Sequence, residues 1–118
     1  MAFQSYKDLL VWQTSMDFVI DVYDVIAKFP AEEKYALYDQ LRRAVVSIPS
    51  NISEGHGRTP KDFYHFLSIA QGSLNEVGTQ LEIALRLNYF SIEEYRRLEE
   101  QIHAISKMLC GLRNSIGV

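Results

Sequence analysis

Apolar side chains recur along the chain at steps of three and four, and no sustained alternation marks a half-buried strand, so the pattern predicts an all-α fold. The first helical period covers about Lys7 to Phe29 and stops where Pro30 disfavours helical geometry in the residue before it. A second begins near Glu33. Its apolar positions Leu37, Leu41, Ala44, Val45, Ile48 and Ile52 keep step straight through Pro49, which predicts one kinked helix over Leu37 to Glu54 rather than a stop. Pro49 lacks the amide that would bond the Val45 carbonyl, and its ring crowds that carbonyl, hence the expected bend. Gly55 or Gly57 supplies a left-handed end.

Thr59 and Pro60 restart the chain as N-cap and first helical residue of a third helix, which runs to about Asn88 on Phe63, Phe66, Ala70, Leu74, Val77, Leu81 and Leu85. Gly72 and Gly78 inside it each cost roughly 1 kcal/mol against alanine, an expense that predicts close approach of a neighbouring backbone. Ser91 and Glu94 form the S-x-x-E capping box of a fourth helix carrying Tyr95, Leu98, Ile102, Ile105, Leu109 and Leu112. Short connections between four helices predict an up-down-up-down antiparallel four-helix bundle, one domain over residues 1–118.

The first helix carries too much apolar surface for such a bundle. Leu9, Trp12, Met16, Val19, Tyr23 and Ile26 form one line, and Val11, Phe18, Val22, Val25 and Phe29 form a second about 100° away. Only Gln13, Asp17, Asp21, Asp24 and Lys28 make a polar wedge. An arc that wide predicts burial against another subunit, and Val11, Phe18, Val22 and Val25 are the interface candidates. Ile69, Ile83 and Leu87 give the third helix a weaker second apolar set.

Charge and candidate chemistry change this picture little. Twelve Lys and Arg against fifteen Asp and Glu give a formal charge of −3, so any polyanion contact needs a local patch. A lone Cys110 allows no internal disulfide, and MAFQSYKDLL does not read as a secretory leader, so the expected compartment is the cytoplasm. No apolar run approaches the roughly 18 to 20 residues of a membrane span.

Helical bundles hold di-iron sites on Glu-x-x-His pairs, here Glu100 with His103 and the imperfect Asp62 with His65. An antiparallel hairpin turning near Tyr89 puts those pairs some 15 Å apart at about 1.5 Å per residue, so no shared metal site is expected. Cys110 and His103 lie about two turns apart, too far for a nucleophile and its base, and Cys110 reads as a buried or partly buried thiol. With no phosphate loop, nucleophile elbow or zinc spacing, the expectation is a protein that is not an enzyme and carries no cofactor.

The second helix remains. Gln40, Arg43, Ser47, Asn51 and Glu54 share a polar stripe. As structure, it is an internal network in which Arg43 pairs with Glu54 or Glu76, Asn51 bonds carbonyls freed by Pro49, and Asn51 and Glu54 are largely inaccessible. As function, Arg42, Arg43, Arg58 and Lys61, with His56 among them, hold phosphates beside a helix N-terminus that attracts anions.

Four stretches, YKDLLVWQ (6–13), FPAEEKYALYDQLRRA (29–44), SIPSNISEGHGR (47–58) and FLSIAQGSLNEVGTQLEIALRLNY (66–89), resemble in order and spacing the 23S rRNA intervening-sequence protein family, also called the four-helix bundle protein family. The accessory variability determinant of diversity-generating retroelements looks like a distant member. The resemblance implies homopentameric rings of four-helix bundles, and a nucleic-acid-binding or reverse-transcriptase-binding basic surface by analogy with that distant member. It sets Arg42, Arg43, Asn51, Glu54, Gly55 and Arg58 on motif positions. Gln71 stands where relatives often carry arginine, Ser53 replaces a common alanine, and the net charge is acidic rather than basic. The expected function is a homo-oligomeric scaffold contacting RNA or a nucleic-acid-associated protein; the alternative is a protein-interaction adaptor.

Overall fold

The computed structural model describes residues 5–117. It consists of α1 (Leu10–Ile26), α2 (Leu37–Gly55), α3 (Pro60–Arg86) and α4 (Ile92–Ile116), with short 3-10 turns at Tyr6–Asp8 and Ala31–Glu33 and no strand among the described residues. Side chains that take up free amides set the starts. Thr59 Oγ1 accepts from Asp62 N (3.2 Å) ahead of Pro60, and Ser91 Oγ accepts from Glu94 N while the Glu94 carboxylate accepts from Ser91 N, both at 3.1 Å. A second capping box joins Ser5 and Asp8, so the chain enters through a separate turn, and α1 begins three residues later than the apolar period predicts. Asn88 takes φ 63°, which ends α3 at Arg86 rather than at Asn88.

α2 has no side-chain cap of its own; the Glu33 carboxylate, one turn earlier, accepts from Leu37 N (3.3 Å). The helix then runs unbroken through Pro49 to Gly55. Each helix packs on its neighbours in sequence, and α1 closes the ring on α4. Across three seams the paired residues run in opposite directions: Asp21 with Gln101 and Lys28 with Glu94, Gln40 with Gln80 and Ser47 with Ser73, Gln71 with Ser106 and Gly78 beside Ile102.

The α2–α3 seam is the most extensive, and its close approach falls at Gly55, where an added Cβ would lie 2.6 Å from the Phe66 Cβ. The expectation for Gly72 and Gly78 is thereby corrected: a Cβ at Gly72 meets nothing within 4 Å, and one at Gly78 meets only Ile102 at 3.8 Å.

The core joins Phe18, Val22 and Ile26 of α1 to Leu41, Val45, Ile48 and Ile52 of α2, Leu67, Leu74 and Leu81 of α3, and Ile105 and Leu109 of α4. This overturns the interface candidates, because Val11, Phe18, Val22 and Val25 are all buried inside the single chain, none more than 5% exposed. The reason lies in composition. That line holds no polar atom, whereas the other includes Trp12 and Tyr23, whose N–H and O–H groups belong at an edge where partners are within reach.

Candidate functional site

α2 lies between two unlike edges. On the α3 side it is polar and hydrogen-bonded, although Gln80 Oε1 is buried without a partner among the described residues. Asn51 Nδ2 donates to both the Ser47 carbonyl and the Ser47 hydroxyl at 2.8 Å, and that hydroxyl meets Ser73 Oγ across the seam at 2.8 Å. One step further, Gln80 Nε2 donates to Gln40 Oε1 (3.3 Å) and Glu76 Oε2 (3.1 Å). Asn51 is half-buried as part of this network, but it serves Ser47 rather than Val45, the carbonyl that Pro49 leaves free. The expected burial of Glu54 is corrected: its side chain is 56% exposed and holds Arg58 one turn on at 2.5 Å. Glu76 is exposed and bonds Gln80, not Arg43.

Arg42 and Arg43 both turn to Asp39, at 2.5 Å and 2.9 Å. The Arg42 guanidinium first, and Arg43 beside it, hold the Asp39 carboxyl below the usual range, and Asp39 in turn raises Arg42. The expected pairing of Arg43 with Glu54 or Glu76 is therefore absent; Asp39, at i−4 on the same helix, reaches it with less ordering of side chains. The predicted cation group separates in space. Arg42 and Arg43 sit near one end of α2, while Arg58 is fifteen residues on, roughly 22 Å along a helix axis. His56, Arg58 and Lys61 gather around the α2–α3 turn. There the His56 ring stands edge-on to Phe63 (5.8 Å) and the Arg58 guanidinium lies 5.2 Å over Phe66. Lys61 is exposed, with no carboxylate at ion-pair distance among the described residues.

On its α1 side α2 borders an apolar groove of about 340 Å³, walled by Trp12, Met16 and Val19 and by Val46 and Pro49. Ser50 and Ser53 are in it too, yet their hydroxyls donate to the carbonyls of Val46 (2.8 Å) and Ser50 (3.0 Å), so neither presents a free donor. Outside the groove but on the same flank of α1, Ile20 is 59% exposed. The surplus apolar surface of α1 exists, then, on the flank opposite to the one expected. Its signal in the sequence is the first of the two lines, which holds Met16 and Val19.

A second cleft, of about 460 Å³, lies between α1 and α4, where Asp21, Asp24, Glu94 and Glu100 surround Arg97 and Gln101. Its charges stitch helices together: Gln101 Nε2 donates to Asp21 at 2.9 Å, and Lys28 pairs with Glu94. The Lys28 ammonium, with the Ser91 amide next, pulls the Glu94 carboxyl down to about 2. No group of three or more His, Cys, Asp or Glu able to hold a metal occurs among the described residues. Cys110 is exposed, against the expectation of a buried or partly buried thiol, and its sulfur accepts from Asn114 Nδ2 at 3.8 Å. No helix among the described residues is long and apolar enough to cross a membrane.

The family described as 23S rRNA-intervening sequence protein matches residues 7–111, and the chain belongs to that family. Among solved structures it is similar to a protein of unknown function from the S23 ribosomal protein family of Bacteroides thetaiotaomicron, at 27% identity, over 92% of this chain and 98% of that one, with a TM-score of 0.82. No curated protein matches the chain.

Proposed function

We propose that this member of the 23S rRNA-intervening sequence protein family is a non-enzymatic, self-associating helical scaffold of the cytoplasm that contacts RNA. The observation that carries the reading is the open apolar groove between α1 and α2, with Ile20 exposed on the same flank of α1. Apolar surface left in water costs about 25 cal/mol for each Å², and a closed ring covers it in every copy without leaving an open end. Five copies is the count that the family resemblance implies. RNA as partner draws support from the family's description and from the cations around the α2–α3 turn. An exposed free thiol at Cys110 fits a reducing compartment.

Light scattering of the purified chain at micromolar concentration, followed by filter retention of 23S rRNA fragments across a salt series, tests both halves. A mass of one chain removes the ring, and a stable mass other than five chains removes only the count. Retention that is absent, or indifferent to salt, removes RNA. The second reading, a protein-interaction adaptor, is favoured by the pairing of both Arg42 and Arg43 with Asp39, which occupies their guanidinium groups, and gains if RNA fails.

A further inference from the structure

The bundle is electrically divided along its length. A plane through about Phe18 on α1, Ser47 and Ser73 across the α2–α3 seam, and Ala104 on α4 separates the half holding the α2–α3 turn from the half holding the other two connections. On the turn side stand five cations, Lys7, Arg58, Lys61, Lys107 and Arg113, against four carboxylates, Asp8, Asp17, Glu54 and Asp62. The other half keeps the remaining seven of twelve cations and eleven of fifteen carboxylates. The turn half is therefore +1 and the far half −4, which together restore the chain's −3.

Pairing widens the contrast. In the far half Lys28 and Arg86 each sit on a carboxylate and Arg42 and Arg43 share one, whereas in the turn half, among the described residues, only Arg58 is so paired. Asp8 is occupied in capping the first turn, where it accepts from Ser5 N. Lys7, Lys61 and Lys107 are all exposed, and none has a carboxylate at ion-pair distance among the described residues. They lie on three different elements, Lys7 and Lys61 towards the turn and Lys107 nearer mid-bundle beside the Gln71–Ser106 pair, so the feature is a property of that half of the bundle and of no single helix.

Resting on the RNA reading above, we infer that the RNA backbone docks along the half of the bundle that holds the α2–α3 turn, with Lys7, Lys61 and Lys107 as phosphate contacts, and that Arg42 and Arg43 take no part. A uniformly acidic chain repels a polyanion; a divided one orients it, because the far half turns the phosphates away while the near half holds them. In a ring whose axis runs along the bundles, every copy offers this half on the same face, so weak single contacts add.

The test uses two triple variants of equal charge change and a fluorescent oligouridylate, titrated at several salt concentrations. Lys7→Glu, Lys61→Glu, Lys107→Glu reverses the turn half. Lys34→Glu, Arg96→Glu, Arg97→Glu reverses cations of the far half that have no carboxylate partner among the described residues. The first should weaken binding at low salt by at least about tenfold and flatten the log-affinity against log-salt slope by about 0.7 for each phosphate no longer neutralised. The second should stay within about twofold of the unaltered protein, and the first set as glutamines should give a smaller loss of the same kind, guarding against misfolding. Equal weakening by both triples means that net charge alone is sensed and overturns the inference. Binding by the unaltered protein that the turn-half triple leaves intact overturns the docking site but not the RNA reading, while no salt-sensitive binding by the unaltered protein removes both.

Discussion

The outer edge of the α1–α2 seam and those of the seams on either side of it are built from opposite materials. Between α2 and α3, Asn51, Ser47, Ser73, Gln40 and Gln80 supply side-chain hydrogen bonds along and across the seam; between α1 and α4, Lys28 with Glu94 and Asp21 with Gln101 tie the helices. Between α1 and α2 a polar tie, Tyr23 with Arg42, occurs towards one end, and along the rest of the seam Trp12, Met16 and Val19 face Val46 and Pro49 across open space. Polar ties consume their own hydrogen-bonding capacity and close an edge to further partners. An apolar edge without them keeps its whole driving force for association in reserve. The seams that are stitched thus hold the chain together, and the unstitched one is where a second molecule gains most.

The sharpest way to break this contrast is a charge placed on each of the two flanks of α1. Val22 is wholly buried and Ile20 is 59% exposed, only two residues away. Val22→Glu should cost more than about 4 kcal/mol and unfold the chain, because a carboxylate enters a core with no prepared partner. Ile20→Glu should leave the circular dichroism spectrum unchanged and lower the mass in sedimentation. If Val22→Glu instead gave folded single chains, the assignment of α1's inner and outer flanks would be reversed.

A glycine comparison sharpens the same distinction at lower energy. Gly55→Ala forces a Cβ to 2.6 Å from the Phe66 Cβ and should destabilise by about 1–3 kcal/mol in denaturant melts, since backbone or ring must shift. Gly72→Ala meets no neighbour and should stabilise by up to about 1 kcal/mol through helix propensity alone. A loss at Gly72 that arises only in the assembled form would bring α3 into the subunit contact.

Helix starts and continuity are legible in the residues themselves. Thr59-Pro60 and Ser91-x-x-Glu94 start their helices at the expected residues, because caps are local chemistry that a few side chains determine. The unbroken period through Pro49 likewise reports α2's continuity. What the pattern leaves open is rotation: two apolar lines about 100° apart satisfy periodicity equally well whichever one faces the core, so periodicity alone can place Phe18 and Val22 on the wrong flank. The glycines mislead for a related reason. Propensity says that Gly72 and Gly78 are costly but not what lies opposite, and the true close approach, at Gly55, depends on where Phe66 falls on another helix. For Arg43 the local partner is legible after all: the spacing Asp39-x-x-Arg42-Arg43 offers the i,i+4 geometry that an α-helix supplies, and it outcompetes a partner on a distant turn.

The stitched edge of α2 can be opened one bond at a time. Asn51→Ala removes two hydrogen bonds to Ser47 and should cost about 1 kcal/mol in chemical denaturation, whereas Ser50→Ala, in the apolar groove, removes only a hydroxyl turned onto its own helix and should lie within about 0.5 kcal/mol of zero. Equal costs at the two sites would mean that the network adds nothing beyond local helix preference.

The smallest effect belongs to the α1–α4 tie, and acid reveals its sign. Lys28 and the Ser91 amide hold Glu94 ionised, so its folded-state value falls from 4.5 to about 2. A carboxyl depressed on folding contributes stability that is complete above its unfolded value and disappears as pH falls through the folded one. Native protein should therefore lose this contribution between about pH 4.5 and pH 2, and Glu94→Gln, which cannot ionise, should lack that segment of the pH dependence. At neutral pH the variant should melt lower by a margin worth under about 1 kcal/mol, because the Lys28 side chain is 52% exposed and water screens the pair. The gap between the two melting curves should close as the pH approaches 2. A gap of constant width across that range would mean that Glu94 acts only as the hydrogen-bonding cap of α4, a role that glutamine partly preserves, and that the ion pair to α1 contributes nothing.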